Sequence, residues 1–239
     1  MISRTLPKLV TLGSATKSGL KRATMRGRTK RGLLPMAAAL LLAAAGLLYV
    51  GQGLAIHAKA TLAQVLLERA FARSLAERGP VKPWSWADTW PIARVEMARI
   101  GLDAIVLAQA SGQALAFGPG HLEGTPLPGD DGTAVIAAHR DTHFAALSEA
   151  RTGDEIRVTR NDGVTSWFRV TGTAVVNWDG SGIDPTAEGH FLVLSTCWPF
   201  GATEPGSLRY LVKAQMIASE RRTPLVDTRP ARRVALAQR

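Results

Sequence analysis

The sequence predicts a mainly β fold, a sandwich or small closed barrel, carried behind a single N-terminal apolar helix. Three observations predict it. From Ile92 onward the chain breaks into seven or eight short runs that are either apolar or alternate apolar with polar residues. Gly/Pro-containing turns separate these runs, with little helical patterning between them. Ahead of them, Gly32–Val50 reads GLLPMAAALLLAAAGLLYV without a charge, and apolar residues continue to Ile56.

Residues 1–31 hold nine Lys/Arg and no acid, and are expected to form a basic cytoplasmic tail. Residues 32–53 are long and apolar enough to span a bilayer, which takes about 20 residues. A cleaved signal peptide would have a shorter apolar core. Nine positive charges before the span and few after it put the N-terminus in the cytoplasm. The remaining chain is then expected outside the inner membrane, in the periplasm or beyond. From Leu54 to Arg78 there is no Gly or Pro, and good helix formers dominate. Leu62, Val65, Leu66, Arg69, Ala70 and Arg73 fall at helical spacing, and Gly79-Pro80 ends the pattern. This predicts a helical stalk, with His57 on its surface. Residues 79–91 carry Trp84, Trp86 and Trp90, expected to cover an edge or end of the core in preference to the alternative, an aromatic belt at the membrane surface, so stalk and linker together occupy 54–91.

The β pattern occupies 92–218. Ile92–Ile100 alternates as a half-buried strand does. Leu102–Leu107 is a second run, and Thr133–Ala138 a third, fully apolar one. Phe144–Ala150 predicts one or two helical turns. Glu155–Arg160 and Ser166–Val176 flank Asn161-Asp162-Gly163, a strong hairpin signal. Phe191–Thr196 and Leu208–Ala214 complete the set, with 215–218 as an extension of the last. Residues 219–239 form a second basic tail.

The net charge of +10 sits at the two ends: 1–31 carries +9 and 220–239 carries +4, leaving 32–219 at −3. A mildly acidic body argues against a nucleic-acid-binding face, and no nucleic-acid partner is expected. A single cysteine, Cys197, excludes an intrachain disulfide and any multi-cysteine metal site. His139 and His143 are four apart, but at a strand–loop junction. Asp130-Asp131 reads as a turn. No metal and no cofactor is expected.

Cys197 ends the apolar run Phe191–Thr196, and Trp198-Pro199-Phe200-Gly201 breaks the strand after it. A free cysteine there is either a small core hydrophobe or a nucleophile. A nucleophilic thiol needs a base or imidazolium partner. His139 ends the strand Thr133–Ala138 much as Cys197 ends its own. His121 lies in a Gly/Pro loop and reads as a turn residue. His190 enters the cysteine strand at its far end, roughly 20 Å from the thiol at strand rise. Arg209, on the following strand, is either an outward-facing charge or the donor that steadies a developing oxyanion.

Together, His139-Arg140-Asp141-Thr142-His143-Phe144, Leu194-Ser195-Thr196-Cys197 and Arg209 resemble the sortase family. The approach FGPGHLEGTPLPGDDGTAVIAAHRDTHF is similar too. The resemblance covers about 92–218. The family's cysteine motif usually begins with Thr, and Val193 stands there instead. The N-terminal span with PWSWADTWPIARVEM resembles the class GN sortases of Gram-negative proteobacteria.

The resemblance implies an eight-stranded β-barrel transpeptidase with Cys197, His139 and Arg209 catalytic. Cys197 would attack an LPXTG-like C-terminal sorting signal on a secreted protein and form a thioacyl enzyme, which an amine acceptor resolves. His139 would be the acid/base and Arg209 the oxyanion or backbone ligand. Thr196, Ser195 and His143 would contact substrate. Papain-type enzymes place cysteine before histidine, the reverse of the order here. The Ser-x-Gly-Cys loop of L,D-transpeptidases is absent. A rival from another class is a membrane-anchored β-domain that binds or scaffolds a partner, with Cys197 inert.

Overall fold

The computed structural model describes residues 30–221, so most of the two basic tails expected from the sequence lies outside the described residues. The chain divides into two compact units, Met1–Ala55 and Ile56–Arg239. Helix α1, Lys30–Glu77, runs through both. In the first unit its large apolar side chains are exposed, Leu42 at 74% and Tyr49 at 76%. This helix is long and apolar enough to cross a membrane.

In the second unit α1 buries Ala63, Leu67, Ala70, Phe71 and Ser74, one face at helical spacing. That face is not the stripe the sequence suggested. Leu62 and Val65 are exposed, because the small Ala63 and Ala70 let the helix approach the barrel closely. Leu67 and Phe71 pack against Ile105 and Leu107 of the barrel and Ala114 of the short helix α2, Gly112–Leu115. Gln64 donates to the Phe117 carbonyl at 2.7 Å, and Arg94 pairs with Glu68 at 3.0 Å. Of the three linker tryptophans, Trp84 stacks edge-on against Phe117 and Trp90 packs on the core. Trp86, at 83% exposure, covers nothing.

Eight strands follow: β1 Pro91–Met97, β2 Leu102–Leu107, β3 Gly120–His121, β4 Gly132–Ala137, β5 Glu155–Arg160, β6 Val164–Asn177, β7 His190–Cys197 and β8 Leu208–Arg221. They close into a barrel in the order β1-β2-β3-β4-β7-β8-β6-β5. Pairing is antiparallel except for β2 with β3 and β4 with β7, which run parallel. Ala145–Glu149 forms a 3₁₀ turn where one or two helical turns were expected. β8 reaches Arg221, so Ser219–Arg221 are strand and not tail.

β3 was not anticipated. It places His121 in the sheet, 7% exposed, with Nε2 2.9 Å from the Pro126 carbonyl oxygen, so His121 is a structural residue and not a turn residue. Gly120 permits this close pairing: a Cβ there would lie 2.3 Å from the Gln109 carbonyl oxygen.

Alternation sorts the side chains of the central strands onto two faces. Ala134, Ile136 and Ala138 point into the main core with Leu192, Leu194, Val212 and Ala214. Val135, Val193 and Leu211 point outward and form a second apolar cluster, against which Val176 and Ile183 pack. The outer face of β4, β7 and β8 therefore carries an apolar floor. The β6–β7 loop, residues 178–189, covers part of that floor through Ile183. The loop is strapped to the start of β4 by Gly132 N–H to Gly189 O at 2.6 Å and Thr133 N–H to Pro185 O at 3.1 Å. Gly132 has φ +103°, and a Cβ there would meet the Pro185 carbonyl oxygen at 2.2 Å, so only glycine fits beneath the strap.

Candidate active site

Cys197 is the last residue of β7, partly exposed, on the outward side with Ser195 and Val193. A strand as apolar as Phe191–Leu194 is held in the sheet by burial on both faces. Trp198 then leaves the ladder, and its N–H still bonds to Leu208 O at 3.0 Å. Arg209 is the antiparallel register partner of Cys197. Side chains directly opposite in such a pair share a face, with Cβ atoms about 5 Å apart. The Nη1 of Arg209 donates to the carbonyls of Gly206 and Leu208, both at 2.9 Å. The guanidinium has further N–H donors on its other nitrogens.

β4 reaches the same rim from the other side of β7. The parallel register ends with Ala137 beside Ser195, and Ala138 N–H continues it to Ser195 O at 3.1 Å. His139 follows directly, just past the end of the ladder, at the same end of β7 as Cys197. His139 is exposed, on the outward side of the buried Ala138. Three adjacent strands thus bring His139, Cys197 and Arg209 to one end of one face.

Thr196 faces the opposite way. It is 1% exposed, and its hydroxyl donates to Ala138 O at 2.8 Å. This departs from the expectation that Thr196 touches substrate: period two turns it into the barrel, where it braces the residue before His139. Ser195 lies on the outward side between Val193 and Cys197. His143 is half-buried in the turn after β4, and burial followed by the nearby His139 holds its imidazole below the usual histidine range. His190 stands at the far end of β7 beside Asp131, 3.5 Å away, and takes no part in this cluster.

Two features were not singled out from the sequence. The guanidinium of Arg140 donates to Ala202 O at 2.5 Å and Glu204 O at 2.9 Å, clamping the loop that joins Cys197 to Arg209. Adjacency to His139 was the one available signal. Beneath the rim, Trp198, Phe200 and Tyr210 pack together, with Trp198 and Tyr210 stacked at 5.6 Å between centroids. Val193 is 4% exposed and belongs to the apolar floor.

Among the described residues, no cluster of three or more His, Cys, Asp or Glu is arranged to hold a metal.

A family model for the sortase domain matches residues 95–217. Sortase D of Bacillus subtilis (strain 168) is 26% identical over 124 residues, 52% of this chain and 62% of that protein. The chain thus spans less than two thirds of that relative's length. A Clostridium perfringens sortase D5 transpeptidase shares the fold at TM-score 0.52 and 21% identity, over 66% of this chain and 99% of that one. The SrtF sortase from Corynebacterium diphtheriae does so at TM-score 0.51 and 20% identity, over 59% and 90%. With the eight-stranded barrel and more than half of the chain matched by the domain model, this protein belongs to the sortase family.

Proposed function

We propose that this chain is a membrane-anchored cysteine transpeptidase that cleaves an LPXTG-like sorting signal and transfers the acyl part to an amine. The observation that carries the reading is the convergence of Cys197, Arg209 and His139 at one rim of β4, β7 and β8. The Cys197 thiolate attacks the carbonyl carbon of the scissile bond. Arg209 donates to the oxygen that gains charge, an interaction worth a few kcal/mol in such sites, about 3. The C–S bond forms, the C–N bond breaks, and His139 passes a proton to the leaving amine. The incoming amine then gives a proton to His139, attacks the thioester, and releases the thiolate. Water as acceptor would make the same chemistry a hydrolysis. Ser195 and His143 flank the path of the peptide, while Thr196 and Arg140 hold the frame.

The apolar part of α1 is the proposed anchor, with the N-terminus cytoplasmic and the barrel outside the inner membrane. The span and the segment PWSWADTWPIARVEM support placing the chain with the class GN sortases. The substrate is a secreted protein with a C-terminal sorting signal.

Intact-mass measurement of the full chain with LPXTG-like peptides tests the reaction. The wild type gains the acyl mass, and Cys197→Ala gains none. His139→Ala and Arg209→Ala each slow acylation by orders of magnitude, about 100-fold or more. A wild type that acquires no acyl mass, with a Cys197 thiol that resists methyl methanethiosulfonate while folded, would favour a scaffold role.

A further inference from the structure

The outward floor continues away from Cys197 into a cavity of about 320 Å³, bounded by Thr171, Ile183, Ala187, Phe191, Val193 and Lys213. Its lining is mostly apolar, with one cation. Lys213 is the register partner of Val193 on β8 and lies on the same face as Arg209, four residues further along the strand. It is exposed, and it forms no ion pair among the described residues. On its other side β6 presents Gly172, and an added Cβ there would meet no heavy atom within 4 Å. Lys213 is the one cation among the residues that line the cavity. The nearest acid in the lining, Asp184, accepts from Thr186 N–H at 2.8 Å and from Thr186 Oγ1 at 2.7 Å within its own loop.

We infer that Lys213 selects an acidic side chain on the sorting peptide, at the fourth residue N-terminal to the one acylated. This rests on the transpeptidase reading above. Four residues of strand separate Arg209 from Lys213, a span of about 13 Å at strand rise. An extended peptide with its reactive carbonyl at Cys197 and its chain over Val193 covers the same span in four residues. In the other direction the floor ends at the β7–β8 loop, so the acyl part of the peptide runs toward Lys213. A carboxylate there meets an unpaired ammonium flanked by apolar walls, and a lysine meets a like charge.

The test uses full-length protein and the peptides X-Leu-Pro-Ala-Thr-Gly-Gly with X as Glu, Gln or Lys, read as the rate of acyl-enzyme formation by intact mass. The wild type prefers Glu over Lys by about three- to ten-fold, the range expected of a partly exposed pair. Raising salt from about 50 to 500 mM shrinks the preference, because the charges are within reach of screening. Lys213→Glu inverts the order, and Lys213→Met brings the three peptides within about two-fold. Both variants change an exposed side chain, and unaltered thermal unfolding confirms that they fold. Equal rates for the three peptides in the wild type would overturn the inference and leave the transpeptidase reading standing. So would an unchanged order in Lys213→Glu. Failure of every peptide to acylate the wild type, in buffers of either salt, would overturn both.

Discussion

Replacing Thr196 with valine separates two roles for the residue before the cysteine. The hydroxyl is buried to 1% exposure and donates to Ala138 O at 2.8 Å. Valine keeps the shape and removes the donor, so Ala138 O loses a partner inside the barrel. A hydrogen bond of this kind contributes about 1 kcal/mol net, and leaving a buried acceptor without it costs about 1–3 kcal/mol. For a barrel of this size each kcal/mol moves the unfolding midpoint by about 4 °C. Thr196→Val is therefore expected to lower the midpoint by about 4–12 °C in thermal unfolding followed by circular dichroism. Its effect on acylation is indirect, through His139, which follows the braced residue. Loosening that segment costs about ten-fold in kcat, since misplacement of a catalytic group by about 1 Å can cost 100-fold. Thr196→Ser restores both properties, because the donor returns in the same place. A Thr196→Val protein with an unchanged midpoint and a large loss of kcat would refute this reasoning. The hydroxyl would then act on the substrate and not on Ala138.

Two further predictions follow from ties around the rim and the base of the barrel. Arg140→Ala releases the carbonyls of Ala202 and Glu204, so the β7–β8 loop and Arg209 lose their clamp. It is expected to cost about ten-fold in kcat/KM for acylation, more through KM than kcat, with Arg140→Lys recovering only part because a lysine lacks the two-pronged geometry. Arg99 forks onto the Asp154 carboxylate, whose side chain is 8% exposed, and Arg151 N–H donates to the same group at 2.8 Å. The hydrogen bond from Arg99 chiefly holds the Asp154 carboxyl below the usual range. A lowered folded-state value means stability that is present above the unfolded carboxylate value, about 3.9, and is lost as pH falls through the folded value. Arg99→Met lowers stability at neutral pH, because the Asp154 carboxylate loses its forked partner. It also flattens the dependence below pH 4, both read by urea denaturation across pH.

Much of the barrel is legible in local pattern. β2 and β5 coincide with the expected runs, and β4, β6, β7 and β8 differ only at their ends. Their alternation follows from having one face in a core, and that demand is written residue by residue. β3 escaped because two residues have no periodicity, and its place depends on Gly120 fitting against Gln109. The helical stripe on α1 was misjudged for a related reason. Large side chains at helical spacing are visible in sequence, but which face docks depends on where the small ones let the barrel come close.

The chemistry-bearing residues divide in the same way. Sequence alone determined that Cys197 and His139 each end an apolar strand, that Arg209 opens the next, and that a long apolar segment precedes them. These are local properties, readable from composition and position. Tertiary structure alone decided which of these residues share a face. The parallel pairing of β4 with β7 joins segments 58 residues apart, and it sets Ala137 beside Ser195. That register lets the inward-facing Thr196 brace Ala138, while the antiparallel register of β7 with β8 sets Cys197 opposite Arg209 and Val193 opposite Lys213. A slip of one residue would exchange the two faces. Pairing between distant strands is fixed by the packing of the whole barrel, which no short stretch of chain encodes.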